Sequence, residues 1–415
     1  MNNSKEQAGI NFENTETGFG YKSDQDLRKA KFLFSAMKYN WLVKAGALFI
    51  PLAIKCKLPV NGILRNTIFK QFVSGETLAD IQPVLQTLDQ HNVKAILDYG
   101  AEGKEDEDGF DRTSKEFHDL ITYAAEKAPF ISIKITGLAR FDLLAQLNAS
   151  VKNTGAGLTV GLEQLTETEK LEWNRVMDRV DSICRAAVRY KVGVLIDAEE
   201  SWIQQTIDVI AENMMGRYNT EQATVFNTIQ FYCTRSLAFL KESTGMAKAA
   251  GYFLGVKIVR GAYMEKERAR ALQLNYPSPI QPDKEATDTD FNLGLAYCIE
   301  NVSYVSLVVA SHNEQSNLLA AVLLEKHGVR KNYPHIHFSE LYGMSDHITF
   351  NLAKAGFSVS KYLPYGSVQE VVPYLMRRAQ ENTSVAGQTA RELFLIQTEL
   401  KRRVAVKNNR AELKV

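Results

Sequence analysis

Short apolar runs alternate with amphipathic stretches over most of the chain. Runs rich in β-prone residues, each of strand length, lie at 93–99, 130–134, 192–197, 228–232, 253–259, 305–310, 336–341 and 357–362. Most intervals between them could hold a crossover helix, such as Thr168 to Tyr190 behind the capping-box pair Thr166 and Glu169. This alternation predicts a parallel sheet covered by helices. About eight such units close a (β/α) barrel, and an open doubly wound sheet is the competing architecture.

Polar residues interrupt these runs mostly toward their C-terminal ends. They are Asp98, Lys134, Asp197, Gln230, Lys257, Arg260, His312, Asn313 and Tyr362. In a closed barrel those strand ends converge on one mouth, where barrel enzymes build their sites. The pattern therefore favours an α/β fold with a (β/α)8 barrel and an N-terminal helical arm.

The chain divides into three predicted regions. Residues 1–27 are polar and are expected to be poorly ordered, and helical periodicity follows, with Thr77 as an N-cap. We expect a tail and helical arm over 1–90, a catalytic barrel over 91–390 and a C-terminal tail over 391–415.

Prolines punctuate the stretch from Leu274 to Asp290, at Pro277, Pro279 and Pro282. Such a segment is typical of an excursion from the barrel. The segment could form a lid over the mouth of the barrel or an inert surface loop, and the sequence does not decide between the two.

The segment 358–382 predicts a strand that breaks at Pro364 and Gly366 and is followed by a helix capped by Ser367. On that helix Tyr374, Arg377, Arg378 and Glu381 share one strip. Two guanidiniums that face the same way suit a carboxylate, which they can bind in bidentate fashion. An exposed ion pair between the first arginine and the glutamate is the alternative.

Net charge and cysteine content exclude several classes of protein. The sequence has 49 Lys and Arg against 48 Asp and Glu, so it carries no electrostatic footprint for nucleic acid. Its four cysteines are far apart, which indicates neither a disulfide framework nor a cysteine-based zinc site.

The N-terminus is acidic before any apolar segment begins, which fits neither a secretory signal nor an acid-poor transit peptide. We therefore expect a cytoplasmic location. The most apolar stretch, Ala45 to Ile54, is too short to span a bilayer. It could pack within the arm or lie on a membrane surface, which would give a peripheral contact on the inner face.

Charged residues inside apolar strands are costly unless they are paired or serve a site. Lys134 and Asp197 could form a structural ion pair, or the lysine could bind a carboxylate while the aspartate orients it. Lys257 and Arg260 could be held by neighbouring carboxylates, or could stabilise negative charge on a bound cofactor or substrate.

The histidines do not point to a metal. His335 and His337 could share a strand face, but no carboxylate set adjoins them, and no metal site is expected. His312 and Asn313 follow a strand directly. They suit hydrogen bonding to a ligand at the mouth, and a helix N-cap role for the asparagine is equally open.

Seven motifs, in order and spacing, resemble those of the proline dehydrogenases: ISIKITGL, LIDAEE, GVKIVRGAY, ASHN, SELYGM, KYLPYG and YLMRRAQEN. The resemblance runs from about Val93 to Asn382. It implies a distorted (β/α) barrel that holds FAD noncovalently and oxidises L-proline to Δ1-pyrroline-5-carboxylate. A hydride would pass from substrate C5 to flavin N5, and electrons would go on to membrane quinone. It also implies a stand-alone member, with a separate pyrroline-5-carboxylate dehydrogenase as partner.

Matching motifs carry the family's roles onto this chain. Arg377, Arg378 and Lys134 would clamp the proline carboxylate, with Glu381 steadying the arginines and Asp197 orienting the cluster. The ring would be walled by Tyr362, Tyr374 and Leu341. FAD-contacting segments would include Gln230, Gly261, Ala262, Tyr263, His312 and Asn313. Lys257 and Arg260 reverse the arginine and lysine of many bacterial relatives, so which of the two contacts the flavin stays open.

Three alternatives remain at this stage. 4-Hydroxyproline is the rival substrate, although the phenol of Tyr362 should crowd a 4-hydroxyl group. A Schiff-base aldolase would need a barrel lysine such as Lys134 or Lys257. A protein that binds proline without turning it over is the third.

Overall fold

The computed structural model describes residues 9–39, 41, 43, 45, 46, 49, 50, 61–100, 105–154, 157–384 and 388–412, with the backbone alone at 61, 63, 380–384, 388 and 411. Most of the apolar stretch 45–54 and the side chain of Glu381 lie outside the described residues. The N-terminal arm is helical and comprises α1 (Thr15–Phe19), α2 (Asp24–Met37), α3 (Asn61–Leu64), a π-helical turn (Arg65–Phe69), α4 (Lys70–Phe72) and α5 (Leu78–Asp89).

Eight parallel strands close a barrel. The strands of the described chain are β1 (Val93–Tyr99), β2 (Phe130–Ile133), β3 (Lys152–Asn153), β4 (Leu158–Thr159), β5 (Gly193–Ile196), β6 (Val225–Gln230), β7 (Leu254–Val259), β8 (Val305–Ala310), β9 (Ile336–Leu341) and β10 (Val359–Tyr365). The barrel order is β1-β10-β9-β8-β7-β6-β5-β2, and β3 pairs with β4 outside it. The predicted (β/α)8 barrel is confirmed, and the open sheet is excluded.

Helices surround the barrel and bury the outward faces of its strands. They are α6 (Glu107–Ala124), α7 (Phe141–Asn148), α8 (Glu167–Tyr190), α9 (Ser201–Tyr218), α10 (Ser236–Ala250), α11 (Met264–Leu274), α12 (Lys284–Glu300), α13 (Glu314–Lys326), α14 (Asp346–Lys354), α15 (Val368–Ser384) and α16 (Gln388–Glu412). A smaller apolar cluster, including Ile96, Leu195 and Phe226, fills the barrel interior. Because side chains alternate along a strand, residues two positions after these also face inward.

Three predicted helix starts are confirmed by their capping bonds. Thr77 and Thr166 each form a capping box, and Ser367 Oγ accepts from the backbone of Glu370 at 3.4 Å. Of the strand break predicted at Pro364 and Gly366, the part at Pro364 is wrong, because β10 continues to Tyr365 and ends directly before Gly366. Proline fits there since it lacks only a donor, and its carbonyl accepts from the Ser74 backbone at 2.9 Å.

The proline-rich segment is fastened to the loop between β6 and α10. The Thr234 backbone donates to Pro279 O at 2.9 Å, and the Gln281 backbone donates to Tyr232 O at 2.7 Å. Residues from Lys284 onward already belong to α12. A lid could therefore comprise only residues 275–283.

Helices α2 and α16 of the described chain pack together. Leu27 and Phe34 of α2 are buried with Leu393 and Ile396 of α16. The expected disorder of residues 1–27 is wrong for the part from 9 onward, where few but large apolar side chains such as Phe19 are buried. The average polarity of residues 1–27 does not reveal these few buried side chains.

We predict that Gly343→Ala lowers the free energy of unfolding by about 3 kcal/mol or more. Gly343 lies between β9 and α14 at φ +76°, and an added Cβ would lie 1.8 Å from Gln71 O. Urea unfolding measures the loss. Gly328→Ala is the control, because its φ is +68° and nothing lies within 4 Å of an added Cβ. Equal losses in the two variants would contradict the close contact.

Candidate active site

The carboxylate of Asp197 lies between two lysines at the C-terminal ends of the strands. Asp197 directly follows β5, Lys134 directly follows β2, and Lys257 lies in β7. Lys134 Nζ is 3.2 Å from Asp197 Oδ2, and Lys257 Nζ pairs with Oδ1. Lys257 Nζ also lies 5.4 Å from the ring centroid of Tyr362. The predicted Lys134–Asp197 ion pair is therefore present, and Lys257 extends it.

Two hydroxyl groups complete this cluster. Tyr362 in β10 donates to Asp197 Oδ2 at 2.8 Å, and Ser132 in β2 donates to Oδ1 at 2.6 Å. The ammonium of Lys134 lies 3.6 Å from Asp98 Oδ1 in β1. Strands from opposite sides of the barrel thus meet at one carboxylate.

The charges in the cluster fix its protonation states. Burial by itself would raise the pKa of Asp197, but the charges of Lys257 and Lys134 hold that pKa well below its usual value. Burial, reinforced by the charges of Asp197 and Asp98, raises the pKa of Tyr362 well above its usual value. The carboxylate is therefore ionised while the phenol keeps its proton as a donor.

Helix α15 brings its arginines to the barrel mouth. The side chain of Arg378 is buried, and its Cζ lies 5.2 Å from the ring centroid of Tyr374. Arg377 Cζ lies 5.8 Å from the ring centroid of Tyr263, which follows β7. The arginine strip thus faces the loops at the strand ends.

Leu341 connects this helix with the barrel interior. It ends β9 and packs against both the interior cluster and the cluster that contains α15. The burial of Arg378 does not fit a merely exposed charged strip. Since the side chain of Glu381 lies outside the described residues, its pairing with Arg377 stays a prediction.

The loops after β6 and β7 are joined by hydrogen bonds. Gln230 donates from Nε2 to Glu199 O at 2.8 Å and accepts from the Ala262 backbone at 3.4 Å. Gly261 has φ +131°, and an added Cβ would lie 2.2 Å from the Tyr232 ring. Only glycine allows this turn after β7.

Arg260 is turned away from the Asp197 cluster. Its Nε donates to Asp288 Oδ1 at 2.7 Å, and its Nη1 and Nη2 donate to Ser311 and Ser316 at 2.7 and 2.9 Å. Its guanidinium also stacks 4.4 Å from the Phe291 centroid. Arg260 therefore fastens the end of β7 to α12 and α13.

His312 and Asn313 have different roles at the end of β8. Asn313 caps α13, accepting at 3.0 Å from its backbone, so the N-cap alternative is confirmed. His312 Nδ1 is 2.9 Å from Ser345 Oγ. Burial, and then the charges of Lys361 and Arg378, hold the pKa of His312 well below its usual value. Its imidazole is therefore neutral.

The loops after β6, β7 and β8 fit a cofactor with hydrogen-bond acceptors, such as a flavin. Thr228 lies two positions after the inward Phe226 and is paired in register with Lys257. Its hydroxyl is buried without a hydrogen-bond partner among the described residues. Because such groups are normally satisfied, this hydroxyl indicates a partner that the described residues do not supply, such as a ligand.

Sequence reasoning missed several residues of this site. Ser132 precedes Lys134 by two positions, so strand alternation could have placed it on the same face. Asp98 is a predicted strand-end residue, but the sequence does not indicate its partner, Lys134. Glu199 and Thr228 had no comparable signal, because their burial depends on the closed barrel.

Glu199 should make stability depend on pH. It accepts from the Thr136 backbone at 3.1 Å, and burial raises its pKa to about 7. A raised pKa contributes stability below pH about 4.5 that is lost as pH rises through 7. Relative to Glu199→Gln, we predict that wild type loses on the order of 2 kcal/mol between pH 5 and 8 in chemical denaturation. Glu300→Gln, at an exposed position, is the control and should leave the pH dependence of the unfolding free energy unchanged. Parallel pH curves for wild type and Glu199→Gln would contradict the raised pKa of Glu199.

Comparisons with known proteins identify relatives of this chain. The chain is 31% identical to "Hydroxyproline dehydrogenase" of Xenopus laevis, over 93% of this chain and 89% of that protein. It is also 31% identical to "Proline dehydrogenase 2, mitochondrial" of Arabidopsis thaliana, over 82% and 79%.

Solved structures share the fold. Proline utilization A (PutA) from Bdellovibrio bacteriovorus, inactivated by N-propargylglycine, superposes with a TM-score of 0.66 at 23% identity. The match covers 78% of this chain but only 34% of PutA. This chain therefore spans about a third of that protein, and the likeness concerns the barrel fold.

The expected cytoplasmic location is wrong. Several proline dehydrogenases that match this chain have names that place them in mitochondria. The expectation rested on the acidic N-terminus, and an acidic N-terminus argues only against an acid-poor transit peptide. Among the described residues, no helix is long and apolar enough to cross a membrane.

A family model described as "Proline dehydrogenase" matches residues 81–391. That range includes every strand of the barrel and the arginines of α15. The resemblance seen in the motifs is thereby confirmed. The chain belongs to the proline dehydrogenase family, and it is an oxidoreductase that acts on proline.

Proposed function

We propose that this enzyme binds FAD and oxidises L-proline to Δ1-pyrroline-5-carboxylate. The observation that carries the proposal is the Asp197-centred cluster, which lies at the strand ends below a helix with a buried arginine, Arg378. Arg377, Arg378 and Lys134 would bind the substrate carboxylate, since planar guanidiniums match it in bidentate fashion. Glu381 would steady the arginines.

The same cations would prepare the substrate amine. Like charge disfavours an ammonium group, so a proline held beside Lys134 and Arg378 would release its amine proton more readily. Tyr362, Tyr374 and Leu341 would wall the ring, and all three are apolar over most of their surface. Little beyond positioning and electrostatics is left for the protein.

FAD would lie over the ends of β6, β7 and β8. Residues that would hold it are Gln230, Lys257, Arg260, Gly261, Ala262, Tyr263, His312 and Asn313. Of the two cations, we assign Lys257 to the flavin ring, because Arg260 is engaged by α12 and α13. When bound, FAD would supply a hydride acceptor at N5 for the hydrogen of substrate C5. Quinone would be the final electron acceptor, and a separate pyrroline-5-carboxylate dehydrogenase would use the product.

4-Hydroxyproline is the second candidate substrate, because the relative from Xenopus laevis carries that name. Tyr362 argues against it. Its hydroxyl is hydrogen-bonded to Asp197 at 2.8 Å, so the ring cannot swing aside without breaking that bond. A 4-hydroxyl group would meet this ring.

The contacts of the lysines also disfavour a Schiff-base aldolase. Such an enzyme needs a neutral amine as its nucleophile. Lys134 and Lys257 both donate to the carboxylate of Asp197, so neither amine is free to attack a carbonyl carbon.

A peripheral contact with a membrane surface is supported by the N-terminal arm. Phe32, Trp41 and Phe49 are each more than 60% exposed, although they are large and apolar. Lys29 and Lys31 are exposed beside the first of them. Aromatic side chains among lysines are typical of segments that lie on anionic bilayers.

An anaerobic titration of the purified protein with L-proline should bleach a flavin absorbance. In Arg378→Met we expect the half-bleaching proline concentration to rise about tenfold to a hundredfold with FAD still bound, because a charge-assisted hydrogen bond is lost. trans-4-Hydroxy-L-proline should bleach much less effectively.

Arg410→Met, at an exposed position on α16, is the control for this titration and should behave as wild type. Protein that carries no flavin, or flavin that proline does not bleach, would contradict the proposed function. Loss of flavin in Arg378→Met would assign that arginine to the cofactor instead. Equal bleaching by L-proline and trans-4-hydroxy-L-proline would contradict the argument that Tyr362 disfavours a 4-hydroxyl group.

Flotation with phosphatidylcholine–phosphatidylglycerol vesicles tests the membrane contact. Wild type should float with the vesicles at low salt, and Phe32→Asp should reduce the bound fraction severalfold. Leu171→Asp is the matched control, because Leu171 is 59% exposed on α8 among acidic neighbours. The contact is excluded if wild type stays in solution or if both variants lose binding equally.

A further inference from the structure

His312 is held by a residue of the neighbouring loop. Its Nδ1 lies 2.9 Å from Ser345 Oγ, between β9 and α14. Ser345 is buried and has φ +51°, a left-handed conformation that is uncommon for serine. Such a conformation persists only where the surroundings hold it. Here the Ser345 backbone donates to Glu392 Oε2 of α16 at 3.1 Å.

The first turns of α16 hold the loop of His312 as well. Arg391 donates to both carboxylate oxygens of Glu314, at 2.7 and 3.2 Å. Glu314 opens α13, two residues after His312, and also lies 3.0 Å from His347 Nε2 of α14. Two consecutive residues of the C-terminal helix therefore clamp the two loops that meet at His312.

This arrangement selects one tautomer of His312. A neutral imidazole carries a single N–H. The Ser345 hydroxyl has no other acceptor among the described residues, and it is best satisfied as the donor to Nδ1, which leaves the imidazole proton on Nε2. Among the described residues Nε2 has no hydrogen-bond partner, and the side chain is only partly buried. His312 thus offers an N–H donor to a ligand at the mouth.

We propose that Glu392 is a positioning residue for His312. Through the Ser345 backbone it fixes the serine hydroxyl, which in turn fixes the imidazole as an Nε2–H donor toward the flavin. The target of that donor rests on the proposed function. The hydrogen-bonded chain from Glu392 to His312 does not depend on it.

The full-length protein tests this with Glu392→Ala, Ser345→Ala and the double variant. The first readout is the dissociation constant of FAD for flavin-free protein, from fluorescence quenching. The second is the ¹⁵N chemical shift of the His312 imidazole without flavin. We expect each single variant to weaken FAD binding about tenfold, within the range of one hydrogen bond. The double variant should be no weaker than Ser345→Ala, because both act through one path.

Two further variants separate positioning from plain stability. Glu392→Gln keeps a side-chain oxygen acceptor and should retain FAD affinity within about twofold. Glu399→Ala removes another buried glutamate of α16, which pairs with Arg402 and Arg403. It should lower the melting temperature but leave FAD binding and the His312 shifts unchanged.

Equal effects of Glu392→Ala and Glu399→Ala, or His312 shifts that are unchanged in Glu392→Ala, would overturn the proposal. Ser345→Ala keeps it falsifiable if Glu392→Ala fails to fold. If wild type binds no FAD, the proposed function fails. The ¹⁵N shifts then still decide whether Glu392 sets the tautomer.

Discussion

A single buried carboxylate constrains the whole barrel mouth. Asp197 is ionised in a position where an unpaired charge would cost several kcal/mol, so it has to be surrounded by donors. β2 supplies Ser132 and the residue directly after it, Lys134, while β7 supplies Lys257 and β10 supplies Tyr362. Each must reach the barrel axis, which fixes the face that every one of these strands turns inward. The donors to Asp197 therefore come together only when the barrel is closed.

The strands were largely predictable because their pattern is local. β1, β8 and β9 have the bounds that the apolar runs indicate. β6 lies earlier than predicted, at Val225–Gln230. Phe231 and Tyr232 continue the apolar pattern and still donate to Val259 O and Arg260 O at 2.8 and 2.7 Å, although both already belong to the turn after β6. Where β-prone residues continue into a turn, their composition alone does not show where the strand ends.

The sequence pattern does not predict contacts between segments that are far apart in the chain. Helix α16 stood in the prediction only as a tail, yet it joins α2 through Arg403 and Asp24, whose Nη1 and Oδ1 lie 2.9 Å apart. Lys361 neighbours Tyr362 on β10 but faces outward, where its Nζ lies 2.9 Å from Asp346 Oδ1. Strand alternation predicts that the two residues face opposite ways. Strand alternation does not predict that the outward-facing Lys361 contacts a buried carboxylate, Asp346.

The two cations of the β7 motif illustrate how the fold settles what a motif leaves open. Lys257 lies within the strand, two positions before Val259, so its side chain is fixed by the alternation and reaches Asp197. Arg260 comes after the last strand residue, where the turn at Gly261 frees it from that alternation, and its planar fork meets two serines and an aspartate. Exchanging lysine and arginine between these positions would not be neutral. A guanidinium at 257 would be larger than the ammonium that Asp197 now holds, and an ammonium at 260 could not span three separate acceptors in one plane. The contacts on each side of the strand end therefore suit the order of the two cations in this chain.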